Sequence, residues 1–157
     1  MQQASTRTTR LRLTSEIGTV AHILLGALQR VGCHRDDDMS RILIVDDQPK
    51  IRKALLWYFE ELKLDCNEAE NGLDALQKAQ QVKPDLIILD FSMPVMNGID
   101  AARVFNQIMP EIPILMLTAH SGAADEAAKN VGVLGVFAKD NVAPLVKQTR
   151  TLLKIER

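Results

Sequence analysis

The most constraining stretch of this 157-residue chain is an uninterrupted apolar run that ends in one carboxylate. Leu86 to Leu89 are all apolar, and Asp90 follows them directly. A run without polar alternation is typical of a strand buried on both faces, as in a parallel sheet covered by helices. Ligand sites of such sheets lie just beyond the carboxyl ends of the strands. Pro94 then marks a loop. This position suits a nucleophilic or metal-binding carboxylate, and the alternative is that Asp90 only caps the strand or the turn.

The composition is that of a globular protein of about one domain. Hydrophobic residues make up 46% of the chain and charged residues 25%. The formal net charge of −1 argues against a protein that binds nucleic acid through bulk charge. No run approaches the roughly 18 apolar residues of a membrane span, and Cys33 and Cys66 indicate neither a metal site nor a disulfide framework. We therefore expect a cytoplasmic protein with no direct nucleic-acid contact and no membrane span.

Residues 1–38 differ in composition from the rest of the chain. Five arginines against one acid, Glu16, up to Arg35 predict a basic, flexible arm. Apolar residues at helical spacing predict one amphipathic helix within it, over residues 16–31. A secretory signal is an alternative, although no clear small-residue cleavage site follows. Another is that translation starts at Met39. Residues 39–157 are predicted to form the folded domain.

From Arg41 onward, short apolar runs alternate with helical patterns. Strands are predicted over residues 42–45, 65–69, 86–90, 112–117 and 133–138. The apolar stripe of the first helix is predicted to include Leu55 and Tyr58, and that of the second helix Leu73 and Ala79. This (βα)5 alternation predicts an α/β fold, with five parallel strands, right-handed crossovers and helices on both faces of a doubly wound sheet.

Polar side chains stand at the carboxyl ends of four predicted strands. They are Asp46 and Asp47 after the first strand, Asp90 after the third, Thr118 after the fourth and Lys139 after the fifth. Because parallel strands end at one edge of the sheet, we expect these side chains to share one rim. Crowded carboxylates repel each other, and a hard divalent cation with oxygen ligands, such as Mg²⁺, relieves that repulsion.

Over residues 40–157 the chain resembles the receiver domain of two-component response regulators. That family shows an acidic pair, an Asp followed by Met-Pro-x-Met-x-Gly, a Thr or Ser before a small residue, and a Lys. The matching residues here are Asp46-Asp47, Asp90 with Met93-Pro94-Val95-Met96-Asn97-Gly98, Thr118-Ala119 and Lys139. The resemblance implies a flavodoxin-like sheet with strand order 2-1-3-4-5.

The resemblance also implies a chemistry for these residues. Asp90 is expected to accept a phosphoryl group from a histidine kinase or phosphotransfer protein, with Mg²⁺ as the cofactor. The implied metal ligands are Asp47 and Asp90 directly, Ser92 through its backbone carbonyl, and Asp46 through water. Thr118 is expected to donate a hydrogen bond to the phosphoryl group and Lys139 to neutralise its charge. Phosphorylation is then expected to switch the surface of the fourth helix, fifth strand and fifth helix for a protein partner.

The sequence departs from the receiver pattern at two positions. The switch position three residues before the Lys, usually aromatic, is Val136. Phe137 cannot replace it, because neighbours in a strand point to opposite faces. Asp140 stands where the family usually has a Pro directly after the Lys, so we expect no cis peptide bond there. Ser92 and His120 occupy positions that tune the phosphoryl lifetime in this family, and we interpret His120 as a solvated bystander.

Three functions are open on this sequence. The first is a single-domain response regulator receiver, a signalling module rather than an enzyme, because only one predicted helix follows Lys139. The second is a haloacid-dehalogenase-type phosphohydrolase, which needs an acid two residues after the nucleophile, where this chain has Ser92. The third is a phosphorylation-independent receiver-like scaffold, suggested by Val136 and Asp140. The sequence leaves open the kinase, the partner and whether the chain forms a homodimer.

Overall fold

A computed structural model describes residues 39–119 and 123–155. These residues form a five-stranded parallel sheet in the order β2-β1-β3-β4-β5, so the predicted fold class and strand order are confirmed. The strands are β1 (Arg41–Val45), β2 (Asp65–Ala69), β3 (Leu86–Asp90), β4 (Ile114–Thr118) and β5 (Gly135–Ala138). The helices are α1 (Pro49–Glu60), α2 (Gly72–Val82), α3 (Gly98–Ile108), α4 (Ala123–Asn130) and α5 (Ala143–Leu152). The predicted arm, its helix over residues 16–31, and His120 lie outside the described residues.

The sheet is buried on both faces because alternate residues of each strand enter different halves of the core. Leu43 packs in a cluster around Phe105, which we call the Phe105 cluster. Its neighbour Ile44 packs in a cluster around Phe59, the Phe59 cluster. Every residue of β3 and β4 is buried, as the bare apolar runs predict. Of the helices that the structure describes, none is long and apolar enough to cross a lipid bilayer.

Local sequence signals set the starts of the first three helices. Pro49 is the first residue of α1, where its missing N–H costs nothing. Asn71 and Asn97 precede α2 and α3, and each side chain accepts a hydrogen bond of 2.9 Å from the N–H three residues later. Such N-caps typically contribute about 1 kcal/mol each. They fix the points where the chain turns from the sheet into α2 and α3.

β4 and β5 begin two residues later than predicted. Pro113 precedes β4, and a proline has no N–H to give to the ladder. The N–H of Val133 donates instead to the carbonyl of Ala128 at 3.1 Å, and Gly132 has a left-handed φ of 75°. This arrangement ends α4 and takes Val133 out of the sheet, so β5 starts at Gly135.

The apolar stripes of two helices were predicted partly wrong. Tyr58 is 43% exposed and Leu73 is 48% exposed. The inward side chain of the last turn of α1 is Phe59, which is fully buried and lies four residues after Leu55. In α2 the small side chain of Ala75 takes the inward position. Cys66 is a free, half-buried thiol, and Cys33 lies outside the described residues.

Gly98 is predicted to be needed for its lack of a side chain. A Cβ at this position would collide with the backbone carbonyl oxygen of Asp90, and backbone cannot move aside easily. We expect Gly98→Ala to lower the free energy of unfolding by about 3 kcal/mol, the upper range for overpacking. Urea denaturation measures this loss.

Gly72→Ala is the matched control, because Gly72 is also the first residue of its helix. Its Cβ would meet the flexible side chain of Met96 at 2.8 Å, so a loss of only about 1 kcal/mol is expected. Equal losses in the two variants would contradict the explanation.

Candidate functional site

The Lys139 ammonium lies between two buried carboxylates. Its Nζ is 2.8 Å from Asp46 Oδ2 and 2.9 Å from Asp90 Oδ2. The Lys139 side chain is 10% exposed, and those of Asp46 and Asp90 are 0% and 2% exposed. Carboxylates removed from water to this degree need a counter-charge. The lysine that follows β5 therefore holds together the ends of β1 and β3.

Burial and charge act against each other at this rim. Burial is the largest influence on Asp90 and raises the pKa of its carboxyl above the ordinary value. The hydrogen bond from Lys139 opposes that rise, and the charge of Asp46 adds to it. Burial alone would lower the pKa of Lys139, but its hydrogen bonds to Asp46 and Asp90 outweigh this, and the pKa is raised. The lysine is therefore a fixed cation at neutral pH.

Backbone groups fix the other carboxylate oxygens. The N–H of Gln48 donates to Asp46 Oδ1 at 2.8 Å, and that of Ser92 donates to Asp90 Oδ1 at 3.3 Å. The loop after Asp90 is closed by the N–H of Gly98, which donates to the carbonyl of Phe91 at 3.0 Å. These contacts orient both carboxylates before any ligand binds.

Asp47 adds a third carboxylate to the rim. One oxygen each from Asp46, Asp47 and Asp90 lie within 4.8 Å of one another. Three carboxylates and one ammonium leave two negative charges, which is the charge that a divalent cation balances. Hard cations such as Mg²⁺ prefer oxygen ligands. The residues present therefore fit a magnesium site.

Thr118 lies at the end of β4, and Val136 and Phe137 of β5 pack on opposite faces of the sheet. Thr118 ends β4, is 4% exposed, and its carbonyl accepts the N–H of Lys139 at 2.9 Å. Val136 packs in the Phe105 cluster and Phe137 in the Phe59 cluster. The prediction that Phe137 faces away from the Val136 side is thus confirmed. Asp140 is exposed, and the described residues contain no cis peptide bond.

Arg52 also contacts the rim, although it is not among the predicted site residues. Its Nη1 donates to the carbonyl oxygen of Asp46 at 2.7 Å, and its Nε donates to Glu68 Oε2 at 2.8 Å. A signal was present, because Arg52 stands three residues before Leu55 and seven before Phe59. That spacing puts it on the inward face of α1, where an arginine needs a partner.

The strand order and the rim together define a flavodoxin-like α/β domain with an acidic pocket at the carboxyl ends of its strands. The family described as response regulator receiver domain matches residues 42–150, and the chain belongs to this family. Receiver domains are signalling domains of two-component systems. They bind Mg²⁺ at an acidic pocket, and they interact with histidine kinases or phosphotransfer proteins.

Curated relatives differ in how much of their length this chain matches. A putative transcriptional regulator of Pseudomonas aeruginosa is 33% identical over 118 residues, which cover 73% of this chain and 57% of the relative. Transcriptional regulatory protein LnrK of Bacillus subtilis is 35% identical over 119 residues, or 73% of this chain and 54% of the relative. The chain thus spans a little over half the length of these two proteins. Sporulation initiation phosphotransferase F of Bacillus subtilis is 36% identical over 115 residues, which cover 69% of this chain and 92% of the relative.

Solved structures show the same likeness. The response regulator TrrA of Thermotoga maritima, in complex with Mg(2+)-BeF, is 33% identical with a TM-score of 0.67, and 73% of this chain covers 99% of that one. The chemotaxis protein CheY4 of Vibrio cholerae is 30% identical with a TM-score of 0.66, and 75% of this chain covers 99% of that one. Both likenesses extend over nearly the whole of the solved chain.

The raised pKa of Asp90 predicts a stability that changes with pH. When an acid has a higher pKa in the folded state, its ionisation destabilises the fold at pH values above that pKa, and the effect disappears as the pH falls. Asp90→Asn should therefore raise the free energy of unfolding at pH 7 by about 1 kcal/mol in EDTA. The gain should shrink towards about pH 4, the ordinary range of a carboxyl. Urea denaturation across this pH range measures it.

Glu111→Gln is the control, because Glu111 is an exposed carboxylate between α3 and β4. It should leave stability unchanged within about 0.5 kcal/mol throughout. A loss of stability in Asp90→Asn at pH 7 would show that the cost of burying the ionised Asp90 carboxylate is not the dominant effect.

Proposed function

We propose that residues 39–157 form a receiver domain that acts in the cytoplasm and accepts a phosphoryl group on Asp90 from a histidine kinase or phosphotransfer protein. Residues 1–38 precede it in the sequence. The domain is a signalling module that takes part in its own phosphorylation and dephosphorylation. One observation carries the proposal: Asp90 is buried at the end of β3 with Lys139 Nζ at 2.9 Å and two further carboxylates beside it.

The proposed step is a displacement at phosphorus. A carboxylate oxygen of Asp90 attacks the phosphoryl group of the donor, and an O–P bond forms as the P–N bond of the phosphohistidine breaks. The imidazole nitrogen leaves with the electron pair. Phosphoryl transfer depends mainly on positioning and on neutralising charge on the phosphoryl oxygens. The Lys139 ammonium, already within 2.9 Å of Asp90 Oδ2, supports such a role.

Asp47 and Asp90 would hold Mg²⁺ directly, Asp46 would hold it through water, and the Ser92 carbonyl would be a further ligand. The bound ion would supply positive charge at the phosphoryl oxygens. The three-carboxylate cluster supports this assignment. So does the relative TrrA, which was solved with Mg(2+)-BeF.

We further propose that phosphorylation switches the α4–β5–α5 surface for a protein partner. A phosphoryl group adds about 1.5–2 negative charges and strong acceptor oxygens, towards which the Thr118 hydroxyl can donate. Movement of Thr118 would move the chain segment that connects β4 to α4. Among the α4 side chains that the structure describes, only Ala128 is fully buried, so little packing opposes displacement. Leu134, 57% exposed just before β5, offers an apolar contact for a partner.

A phosphorylation-independent scaffold is the second candidate. Val136 stands at the position where receivers usually carry an aromatic residue, and it is half-buried in the Phe105 cluster. Asp140 replaces the usual proline. Both features favour a domain whose partner surface does not depend on Asp90.

Incubation with Mg²⁺ and acetyl phosphate tests the phosphoacceptor directly. Wild-type protein should gain the mass of one phosphoryl group, because the carboxylate of Asp90 is held beside the Lys139 ammonium. Asp90→Asn should gain none, because an amide is not a nucleophile for this step. Intact-mass spectrometry under non-hydrolysing conditions measures the adduct.

Asp100→Asn serves as the control, because Asp100 is an exposed carboxylate on α3 paired with Arg103. It should be labelled like wild type. If a cognate kinase and acetyl phosphate both fail to label wild-type protein that binds Mg²⁺, the scaffold is the better function.

Thr118→Ala separates phosphorylation from switching. The variant should still be labelled on Asp90, but amide hydrogen exchange in residues 123–130 should no longer change on labelling. Without the hydroxyl, the phosphoryl group cannot accept a hydrogen bond from residue 118, so its addition does not displace the chain that leads into α4. Hydrogen exchange with mass spectrometry, with and without acetyl phosphate, measures the response.

Thr149→Ala is matched to it, since Thr149 is also a buried threonine but lies on α5. Its response on labelling should equal that of wild type. A full response in Thr118→Ala would rule out the proposed route.

A further inference from the structure

Arg52 connects α1 to the ends of two neighbouring strands. Its Nη1 donates to the carbonyl oxygen of Asp46, directly after β1, at 2.7 Å. Its Nε donates to Oε2 of Glu68 in β2 at 2.8 Å. The Arg52 side chain is only 14% exposed, and that of Glu68 is 39% exposed. A planar guanidinium can satisfy two acceptors in fixed directions at once, which a lysine ammonium on a flexible stem does less well.

All four polar groups of Asp46 have partners. Its N–H donates to the carbonyl of Ala69 at 3.2 Å, Oδ1 accepts from Gln48 and Oδ2 lies beside Lys139. The backbone carbonyl is the group that Arg52 holds. This carbonyl belongs to the peptide unit that joins Asp46 to Asp47. Arg52 therefore fixes the plane of the peptide that leads into Asp47.

Asp47 depends on this constraint more than Asp46 does. In the described part of the chain, no hydrogen bond or ion pair holds the Asp47 carboxylate. Its direction is set by the backbone on either side of it. Because each peptide plane is rigid, fixing the preceding carbonyl restricts where the Asp47 carboxylate can point.

The charge of Arg52 is balanced by Glu68. The two side chains form a paired cation and anion, so they add no net charge to the rim. If Arg52 acted by its charge alone, removing that positive charge would make the nearby carboxylates bind a cation more tightly. A geometric role predicts the opposite sign, because a misdirected Asp47 binds a cation less well.

We propose that Arg52 is a positioning residue for divalent-cation binding, acting through the peptide between Asp46 and Asp47. This inference rests on the proposed function, in which that acidic pair holds Mg²⁺. Arg52 is not one of the residues proposed to hold the cation or the phosphoryl group. It acts by holding the carbonyl of Asp46 while Glu68 holds the other side of the guanidinium.

Urea denaturation at increasing Mg²⁺ concentration tests the proposal without any phosphodonor. A ligand that binds only the folded state raises the free energy of unfolding in a way that yields its dissociation constant. Arg52→Gln and Arg52→Lys should each raise the dissociation constant for Mg²⁺ about tenfold, the lower end of effects seen when groups that orient metal ligands are removed. The same titrations give the stability in EDTA, so lost affinity is separated from lost stability.

A control variant sharpens the result. Arg103→Gln removes an exposed arginine of α3 that is paired with Asp100 at 2.9 Å, and it should leave the dissociation constant within about twofold of wild type. Arg52→Lys decides the matter if Arg52→Gln does not fold.

The outcomes distinguish this inference from the function it rests on. Wild-type protein that binds Mg²⁺ while both Arg52 variants bind it equally well or more tightly would overturn the positioning role alone. Wild-type protein that gains no stability from Mg²⁺ would overturn the proposed metal site and this inference with it. Weaker binding in both Arg52 variants, with unchanged binding in Arg103→Gln, supports the inference.

Discussion

The rim depends on the ammonium of Lys139, because this cation lies within 2.9 Å of both buried carboxylates. Without it, Asp46 and Asp90 would be two like charges removed from water, and breaking a buried pair by removing one partner typically costs about 3–5 kcal/mol. One ammonium nevertheless balances only one of three carboxylates. The rim therefore keeps an excess of negative charge. This excess lowers the stability of the folded domain without a bound cation and favours cation binding, a common cost of a functional site.

The strand order explains why the cation and the anions come from different parts of the chain. β1 and β3 are neighbours, so Asp46, which follows β1, and Asp90, which ends β3, lie close together. β5 is separated from β3 by β4, and only a long side chain at its end reaches that far. The base of that side chain is fixed, because the N–H of Lys139 donates to the carbonyl of Thr118 at 2.9 Å. The same hydrogen bond connects Thr118 to the site. The backbone therefore joins Thr118, the proposed hydroxyl donor, directly to Lys139, the proposed source of positive charge.

The sheet and its rim could be predicted because each buried strand is a bare apolar run that ends in a polar residue. The buried faces of the helices were harder to predict. Tyr58 and Phe59 are adjacent aromatic residues, and a 3.6-residue period does not decide which one points inward. Val133 was predicted to lie in β5 but does not, because its N–H donates to the last turn of α4. That contact depends on the turn at Gly132. Arg52 was missed because its main partner is a backbone carbonyl, which carries no side-chain signal in the sequence.

The residues of β5 limit how a signal can leave the rim. Phe137 is held in the Phe59 cluster, and Val136, on the other face, is a β-branched side chain with restricted rotation. Neither is suited to a large side-chain reorientation. In the proposed switch, a signal that begins at Asp90 would therefore reach α4 through the backbone that follows Thr118. The far end of α4 is held, because the Asn106 side chain donates to the carbonyl of Val131. Displacement of α4 should therefore be largest at the end nearest Thr118 and smallest where the chain turns into β5.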